Sequence, residues 1–317
     1  MTVNLMNLVP TICAICGADR STQLYPANFS TKDLNPQTFS ARRIPDRIHY
    51  RLVRCKKCGL VYSNPILASN LLTKLYEKSV VTYEKQVEDL CKTYWRYFMM
   101  TSTIRGVASQ HLGGGRTDSS EVKILEIGCG DGFFLEYLKQ CGWTNVLGVE
   151  PSRAASLKAP RSLRKRIINS ILRPNLFTKE SFDYICTFQT LDHVIDPNQF
   201  LQICWQLLKP GGKMLAINHD ADSWSAKLLG EKSPIIDIEH IYLFNKPTLA
   251  AIFAKNGFTV EKVFTVIDQH RLDYWLRMLP LPKVIKDSLT ITLTVTKLSK
   301  IPLRIPAGNI GIVARKK

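Results

Sequence analysis

The residues of this chain best suited to chemistry surround a short β-prone run at 122–127. Three carboxylates and three alternating glycines lie in or near its end: Glu126, Gly128, Gly130, Asp131, Gly132 and Glu150. Glycines at this spacing let the backbone adopt positive φ and approach a ligand. The amphipathic segment at 133–140 can supply helix N-terminal amides to that ligand. Glu150 ends the next β-prone run, about 20 residues further on, where a carboxylate can accept both hydroxyls of a ribose. The alternative for each carboxylate alone is a solvated loop charge.

Four cysteines form two Cys-x-x-Cys pairs, and each pair is followed by a glycine: Cys13, Cys16, Cys55 and Cys58. Four thiolates can surround one zinc ion as a tetrahedron, and the glycine permits the tight turn past each second cysteine. Such a site has no open position for a substrate, so we expect its role to be structural. Redox-active pairs and buried cysteines are the alternatives.

Alternating strands and helices must position these residues. Five β-prone runs alternate with helix-prone segments, at 122–127, 145–149, 166–171, 182–188 and 213–218. This order predicts an α/β fold in which helices cover both faces of a parallel sheet. Ligands of such sheets bind outside the carboxyl ends of the strands, which is where the polar residues fall. Further β-prone runs at 258–267 and 310–314 could complete the sheet.

The chain divides by pattern into four regions, which are a zinc-binding module at 1–66, a helical connector at 67–120, a ligand-binding core at 121–220 and a C-terminal region at 221–317. Leucines and aromatic residues at spacings of three and four predict connector helices that pack on the core. Gly113–Gly115 predicts a flexible break. For the stretch from Trp275 to Leu303 we favour core packing, with a substrate lid or a patch resting on a membrane surface as alternatives.

Composition indicates a globular protein with a strong basic excess. The 317 residues are 45% hydrophobic and 22% charged, and the net charge is +17. Eight cations and no carboxylate lie between Pro151 and Lys179, and ten cations face two aspartates between Arg271 and Lys317. This charge favours phosphorylated substrates, nucleic acid or anionic lipid heads, with a solvated basic surface as the alternative.

No apolar run is long enough to span a bilayer, and the first ten residues lack a signal-peptide pattern. We therefore expect a cytoplasmic protein with reduced cysteines.

With these motifs stated, the chain resembles class I S-adenosylmethionine-dependent methyltransferases that carry an N-terminal zinc-binding domain. The matching features are the two cysteine pairs, the acid-x-Gly-x-Gly-x-Gly loop and the run Glu239-His-Ile-Tyr-Leu-Phe244 before a helix. Bacterial deoxysugar C-methyltransferases and enzymes of polysaccharide or natural-product pathways belong to this group. The resemblance covers residues 10–265 and implies a Rossmann-like sheet, S-adenosylmethionine as cofactor and a structural Zn²⁺.

The activity that the resemblance implies is methyl transfer to a small-molecule acceptor, first of all a sugar or nucleotide-linked sugar. An RNA methyltransferase would suit the basic charge, but no run interleaves aromatic and basic residues as a nucleic-acid platform would. A degenerate cofactor-binding protein that serves as a partner in a complex is the third alternative.

The resemblance also implies roles for single residues. The expected cofactor-binding residues are Glu126, Gly128, Gly130, Asp131, Gly132, Glu150, Ser170, Phe188 and Gln189. The glycine loop would hold the methionine part, Glu150 the ribose hydroxyls, and Glu126 would orient the loop. Related proteins often carry an aspartate for the adenine amino group near Ser170, so this contact would rest on an uncharged side chain.

Methyl transfer requires a group that takes a proton from an oxygen, nitrogen or carbon acid, and histidine suits this task. His193 follows the fourth strand, and His240 lies in the segment expected over the same cavity mouth. If residues 239–242 are extended, His240 and Tyr242 share one face and Glu239 turns toward the scaffold. We therefore expect His240, with Tyr242 beside it, to be the base and His193 to be its alternative; a hydrogen-bonded structural histidine is the other reading of each. No context lifts the remaining histidines above background: His49, His111, His219 and His270.

Overall fold

The computed structural model describes residues 7–39, 46–80, 88–101, 120–279 and 281–317. The predicted break at 113–115 and His111 lie outside these residues. The strands in chain order are β1 Leu8–Val9, β2 Ser21–Tyr25, β3 Leu52–Cys55, β4 Val61–Ser63, β5 Ile66–Leu67, β6 Ile124–Ile127, β7 Val146–Val149, β8 Ile167–Ile168, β9 Phe182–Phe188, β10 Leu208–His219, β11 Tyr242–Leu243, β12 Phe258–Arg271 and β13 Pro302–Lys316. The α-helices are α1 Ser69–Glu77, α2 Glu88–Thr101, α3 Phe133–Gln140, α4 Arg153–Lys158, α5 Arg161–Arg164, α6 Pro197–Leu207, α7 Trp224–Leu229, α8 Lys246–Lys255, α9 Leu272–Met278 and α10 Lys283–Val295.

A seven-stranded sheet forms the centre of the fold, in the order β12-β13-β10-β9-β6-β7-β8. Strands β10, β9, β6, β7 and β8 are parallel, and β13 runs antiparallel to both of its neighbours. All four residues of β6 are buried, as expected for a central parallel strand covered on both faces. The predicted Rossmann-like α/β fold is confirmed.

Some strand boundaries differ from the sequence patterns. The third strand is limited to Ile167–Ile168. The turn expected at 209–212 belongs to β10, whose pairing with β9 is irregular between Leu208 and Lys213. The last two strands run much further than their apolar cores, because β12 and β13 pair with each other from Phe258 to Arg271.

A second, four-stranded sheet belongs to the N-terminal region, in the order β11-β4-β3-β2. Its edge strand β11 comes from residues far along the chain, and Tyr242 pairs with Tyr62 in an antiparallel register. The Ser63 amide also donates to the Ile241 carbonyl at 2.8 Å. Backbone pairing of this kind fixes the register of both segments, so the cysteine-bearing region directly holds the backbone next to His240.

The connector helices pack on the core as their aromatic spacing predicts. In α2, Tyr94, Tyr97 and Phe98 are buried. The Phe98 ring lies edge-on to Tyr184 of β9, with 5.0 Å between the ring centroids. These rings interlock with the central sheet. Tyr94 of α2 also lines the cavity described below, so the helix forms one wall of it.

The segment between β12 and β13 contradicts the expected core packing. It forms α9 and α10, and none of the thirteen residues of α10 is buried. Among the described residues it packs mainly on α9 and on the short turn at Leu298–Lys300, so most of its apolar side chains stay exposed. Within the described ranges, no helix has both the length and the apolarity needed to cross a membrane.

Candidate active site

A cavity of about 950 Å³ opens at the carboxyl ends of the parallel strands. Its walls come from α1, α2, α6, α9, the loop after β6, the ends of β7 and β9, and the segment before β11. This is the edge of the sheet at which α/β folds bind their ligands. The cavity therefore coincides with the site that the sequence predicts.

The glycine loop after β6 has the backbone that its sequence requires. Gly128, Gly130 and Gly132 have φ of +76°, +57° and +73°, a region that favours glycine. A Cβ at position 128 would overlap the side chain of Thr190. The amides of Gly128 and Cys129 donate to the Val149 carbonyl at 2.8 and 3.2 Å. The loop is thereby tied to the end of β7.

Glu150 connects the glycine loop to the segment that follows β7. One carboxylate oxygen accepts the Gly130 amide at 2.8 Å, and the other accepts the Ser152 amide at 2.8 Å. Burial raises the pKa of Glu150, although both amides act in the opposite direction. Since a carboxylate has about four lone-pair sites, each oxygen can still accept a ligand hydroxyl.

Three buried acceptor atoms beside the loop have no hydrogen-bond partner among the described residues: Glu126 Oε2, Asp131 Oδ1 and Gln189 Oε1. Burial, followed by the charges of Asp131 and Glu150, raises the pKa of Glu126 well above its ordinary value. An unpaired buried polar atom is costly, by about 1–3 kcal/mol. Donors from a bound molecule would remove this cost. S-adenosylmethionine carries such donors, namely an ammonium group and ribose hydroxyls, so the residues present fit it.

Seven of the nine expected cofactor residues line the cavity: Glu126, Gly128, Gly130, Glu150, Ser170, Phe188 and Gln189. Asp131 and Gly132 lie behind it, and a Cβ at Gly132 would come within 3.0 Å of the Ile167 side chain. Phe188 stacks on Tyr94 with 3.9 Å between centroids. The Ser170 hydroxyl donates to the Ile171 carbonyl at 2.9 Å and is exposed.

A cluster of three histidines around one aspartate forms the opposite side of the cavity. The fully buried Asp192 accepts a hydrogen bond from His219 Nδ1 at 2.6 Å, and its second oxygen lies 3.7 Å from His193 Nε2. The His240 ring lies 4.4 Å from His219 and 4.8 Å from His193, between centroids. Burial alone would raise the pKa of Asp192, but the His193 charge and the His219 hydrogen bond hold it well below its ordinary value.

His240 is held in one orientation. Its Nδ1 lies 2.7 Å from the Ile235 carbonyl, and because a carbonyl only accepts, Nδ1 carries the hydrogen. Nε2 is then the nitrogen that can take up a proton. The Ser63 hydroxyl of β4 donates to the His240 carbonyl at 3.0 Å, and both residues are buried.

The segment around His240 differs from the extended run that we expected. Residues 238 and 239 form a turn, and strand β11 begins only at Tyr242. Glu239 consequently lines the cavity with His240, whereas Tyr242 does not. The Tyr242 hydroxyl instead donates to the Ile195 carbonyl at 3.4 Å. The predicted shared face of His240 and Tyr242 is therefore wrong.

Other residues of the cavity were missed by the sequence patterns. His219 and His270 line it, and His219 could have been found because it ends β10 at the carboxyl edge of the sheet. Tyr76 also lines it, and its hydroxyl lies 3.4 Å from His193 Nδ1. The helical spacing of Tyr76 favoured a core role, so no local signal separated it from the packing residues.

The four predicted metal-ligating cysteines meet. Their sulfur atoms all lie within 4.8 Å of one another, with 3.3 Å between Cys13 and Cys58 and 3.5 Å between Cys16 and Cys55. The Gly17 amide donates to the Cys13 carbonyl at 2.9 Å, and Gly59 repeats this with Cys55 at 3.0 Å. A tetrahedral Zn²⁺ with bonds of about 2.3 Å needs sulfurs at similar separations.

Comparison with known proteins identifies the family of the chain. A family model described as a methyltransferase domain matches residues 100–263, just over half of the 317 residues. The mitochondrial ubiquinone biosynthesis O-methyltransferase of Homo sapiens is 31% identical over 49% of this chain and 46% of its own length. The ubiquinone biosynthesis O-methyltransferase of Bradyrhizobium diazoefficiens is 31% identical over 34% of this chain and 45% of its own length.

The chain thus spans about half the length of the curated relatives it matches. An S-adenosylmethionine-dependent methyltransferase structure from Mesorhizobium loti has a TM-score of 0.43 and 16% identity, over 71% of this chain and 98% of that one. From the family match, the chain belongs to the methyltransferase domain family.

Proposed function

We propose that this protein is an S-adenosylmethionine-dependent methyltransferase that acts on a small-molecule acceptor. The observation that carries the proposal is the set of buried acceptors without partners beside a glycine loop, at the carboxyl edge of the sheet. A bound molecule with a cationic group and hydroxyl donors would pair with the two of them that line the cavity, Glu126 Oε2 and Gln189 Oε1. A partner protein without catalysis would not need the histidine cluster on the opposite side of the cavity.

The cofactor would supply an electrophilic methyl group. Glu126 and Gln189 offer acceptors for its ammonium group, and Glu150 offers its second lone pairs to the ribose hydroxyls. The exposed Ser170 lies where the adenine edge is expected. Phe188, stacked between the sheet and Tyr94, closes the methionine side and excludes water there.

His240 is the base in this proposal. Its Nε2 would take up the proton that the acceptor atom loses when it is methylated. The contact of Nδ1 with the Ile235 carbonyl favours the tautomer that this step requires. His193, next to the Tyr76 hydroxyl, is the alternative base.

The acceptor side of the cavity is polar, which supports a sugar or nucleotide-linked sugar. Asp237, Glu239, His193 and His240 all line it and can hydrogen-bond several hydroxyls at once. The +17 charge would favour a phosphorylated acceptor. A second candidate is O-methylation of a ubiquinone precursor, which the names of the two relatives suggest. The lack of a run that interleaves aromatic and basic residues disfavours RNA.

We also propose that Cys13, Cys16, Cys55 and Cys58 hold a structural Zn²⁺. The four sulfurs and the two glycine turns support it. All nine cysteines of the chain are free thiols, which suits a reducing compartment such as the cytoplasm.

A labelled-methyl transfer assay tests the proposal. Purified protein with methyl-labelled S-adenosylmethionine is offered nucleotide-linked sugars, ubiquinone precursors and RNA in separate reactions. We expect label in the nucleotide-sugar fraction and none with the His240→Ala variant. Label in the ubiquinone fraction would select the second candidate, and label in RNA alone would refute a small-molecule acceptor.

A further inference from the structure

We propose that the helical pair α9–α10 binds the surface of an anionic phospholipid bilayer. The membrane contact does not depend on the proposed function, and no residue of α10, which carries the apolar face, lines the cavity. It rests on exposed apolar side chains, on the hydrogen bonding of α10, and on the charge around the helix.

Exposed apolar residues concentrate in this segment. Of the 17 large hydrophobic side chains exposed among the described residues, eight lie between Leu279 and Ile301. The most exposed in α10 are Val284 at 80%, Ile291 at 64% and Val295 at 77%. These three lie on one face, because they are about two turns and then one turn apart. A folded protein rarely leaves such a patch without a partner.

Threonine hydroxyls in α10, and that of Thr296 just after it, are satisfied by the helix backbone. The hydroxyls of four threonines donate to carbonyls four residues earlier, at 2.7, 3.0, 2.8 and 2.7 Å: Thr290, Thr292, Thr294 and Thr296. Threonines bonded in this way turn their methyl groups outward and need no water for their hydroxyls. This threonine surface can therefore enter an apolar phase at small cost. A protein partner would not require the hydroxyls to be bonded within the helix.

Basic residues surround the apolar face. Between Leu272 and Arg304 the cations are Arg277, Lys283, Lys286, Lys297, Lys300 and Arg304. They face only two acids, and one of these, Asp273, pairs with Arg271 at 2.6 Å. An apolar face flanked by lysines is the pattern of a helix that lies in the headgroup region, where each cation strengthens binding to anionic lipids.

The helical pair α9–α10 lies beside the cavity, which suggests why the protein would bind a membrane there. Tyr274 and Met278 of α9 line the cavity, together with His270 at the end of β12. A bilayer that contacts α10 would consequently lie beside the cavity mouth. An acceptor carried on a lipid could then reach the cavity without leaving the membrane.

Vesicle co-sedimentation with the full chain tests the proposal. Vesicles contain phosphatidylcholine alone or phosphatidylcholine mixed with phosphatidylglycerol. We expect binding to the mixed vesicles, and weaker binding to the neutral ones or at high salt. The double variant Ile291→Ser/Val295→Ser should need at least about tenfold more lipid for half-binding.

Matched controls separate this surface from general stickiness or charge. Met100→Ser/Leu157→Ser removes side chains of 66% and 54% exposure elsewhere and should bind as wild type. Lys283→Gln/Lys297→Gln/Lys300→Gln should weaken binding, whereas Lys139→Gln/Lys158→Gln/Lys165→Gln should leave it nearly unchanged.

Equal effects of test and control variants would overturn the proposal. So would a concentration-dependent dimer that Ile291→Ser/Val295→Ser abolishes in protein that ignores vesicles, because the apolar face would then belong to a second copy. Displacement of bound vesicles by RNA, with no effect of the serine variant, would likewise overturn it.

Discussion

At the scale of single residues, the cavity brings together groups that are distant in sequence and only partly visible as motifs. Three different segments supply Asp192, His219 and His240. One carboxylate oxygen of Asp192 and one ring nitrogen of each histidine nevertheless lie within 4.8 Å of one another. Asp192 and its neighbour His193 follow β9, whereas His219 ends β10 and His240 precedes β11. The sequence identified His193 and His240 by their places in motifs, but the pairing of His219 with Asp192 depends on tertiary packing.

The role of His240 can be separated from that of His193. His240→Ala should lower turnover by about 10²–10⁴-fold, the range for losing a general base, while cofactor affinity remains nearly unchanged. His240→Asn keeps a donor toward the Ile235 carbonyl but has no basic nitrogen, so it should lose as much. His193→Ala should lower turnover by a smaller factor. Steady-state kinetics with calorimetry of cofactor binding measure both quantities, and a larger loss in His193→Ala would transfer the role to His193.

A buried acid close to the cavity predicts a pH dependence of stability. Asp268 is 3% exposed, and burial, only partly opposed by the Asn309 amide, raises its pKa to about 6. The folded chain therefore keeps a proton that the unfolded chain loses above pH 3.8. The resulting penalty grows as pH rises toward 6 and is complete above it.

Asp268→Asn removes this penalty. The change in unfolding free energy that it causes should be more favourable at pH 7.5 than at pH 4.5, by about 2 kcal/mol. Urea unfolding at both pH values measures it. Glu121→Gln, at an exposed position, should give the same change at both. A difference of zero for Asp268→Asn would mean that this carboxyl titrates normally.

At the scale of elements, the cysteine-bearing sheet and the histidine side of the cavity are mechanically joined. Strand β4 pairs with β11, and its last residue, Ser63, holds both the Ile241 and the His240 carbonyls. In the other direction, β4 pairs with β3, which ends at Cys55. The cysteine site is thus two strands away from the proposed base.

This connection predicts how loss of the metal would act. Cys55→Ser should abolish zinc binding, lower turnover and leave S-adenosylmethionine affinity close to wild type, because the glycine loop is held by Val149 and Glu150 at the end of β7. Elemental analysis, calorimetry and kinetics give the three readouts. Cys141→Ser, outside the cluster, is the control and should retain zinc. Wild-type protein that is purified without zinc, or full turnover in Cys55→Ser, would contradict this account.

The glycine loop offers a second test at the element scale. Gly128 and Gly211 both have φ of +76°, but a Cβ meets Thr190 only at position 128 and open space at position 211. Gly211→Ala should therefore cost about 1 kcal/mol from backbone strain alone. Gly128→Ala adds a steric overlap and should cost clearly more, with weaker cofactor binding. Chemical unfolding compares the two, and equal costs would show that the Thr190 contact is unimportant.

At the scale of the whole molecule, the sequence predicted what local patterns determine. The parallel strands could be predicted because strands buried on both faces are short continuous apolar runs, as in Phe182–Phe188. The glycine loop was legible because only glycine suits its φ values. The pairing of β11 with β4 could not be predicted. Strand β11 has only two residues, which are too few to show a periodic pattern, and β4 lies far away in the sequence. For the same reason the turn before Tyr242, which redirects Glu239 into the cavity, was mistaken for extended chain.

The exposure of α10 shows another limit of sequence patterns. Its apolar content favoured core packing, yet the structure leaves the helix uncovered along one face. Composition reports that a segment can be buried, but the partner that buries it can be another molecule.

The central claim is that the cavity at the carboxyl edge of the sheet holds S-adenosylmethionine, with Glu150 on the ribose. Isothermal titration of the cofactor into wild-type, Glu150→Ala and Glu121→Ala proteins tests it most directly. We predict one site per chain in the wild type, a loss of about 1–3 kcal/mol in folded Glu150→Ala, and no change in Glu121→Ala. Folded wild-type protein that takes up no S-adenosylmethionine, or Glu150→Ala protein that binds it as tightly as wild type, would contradict the claim.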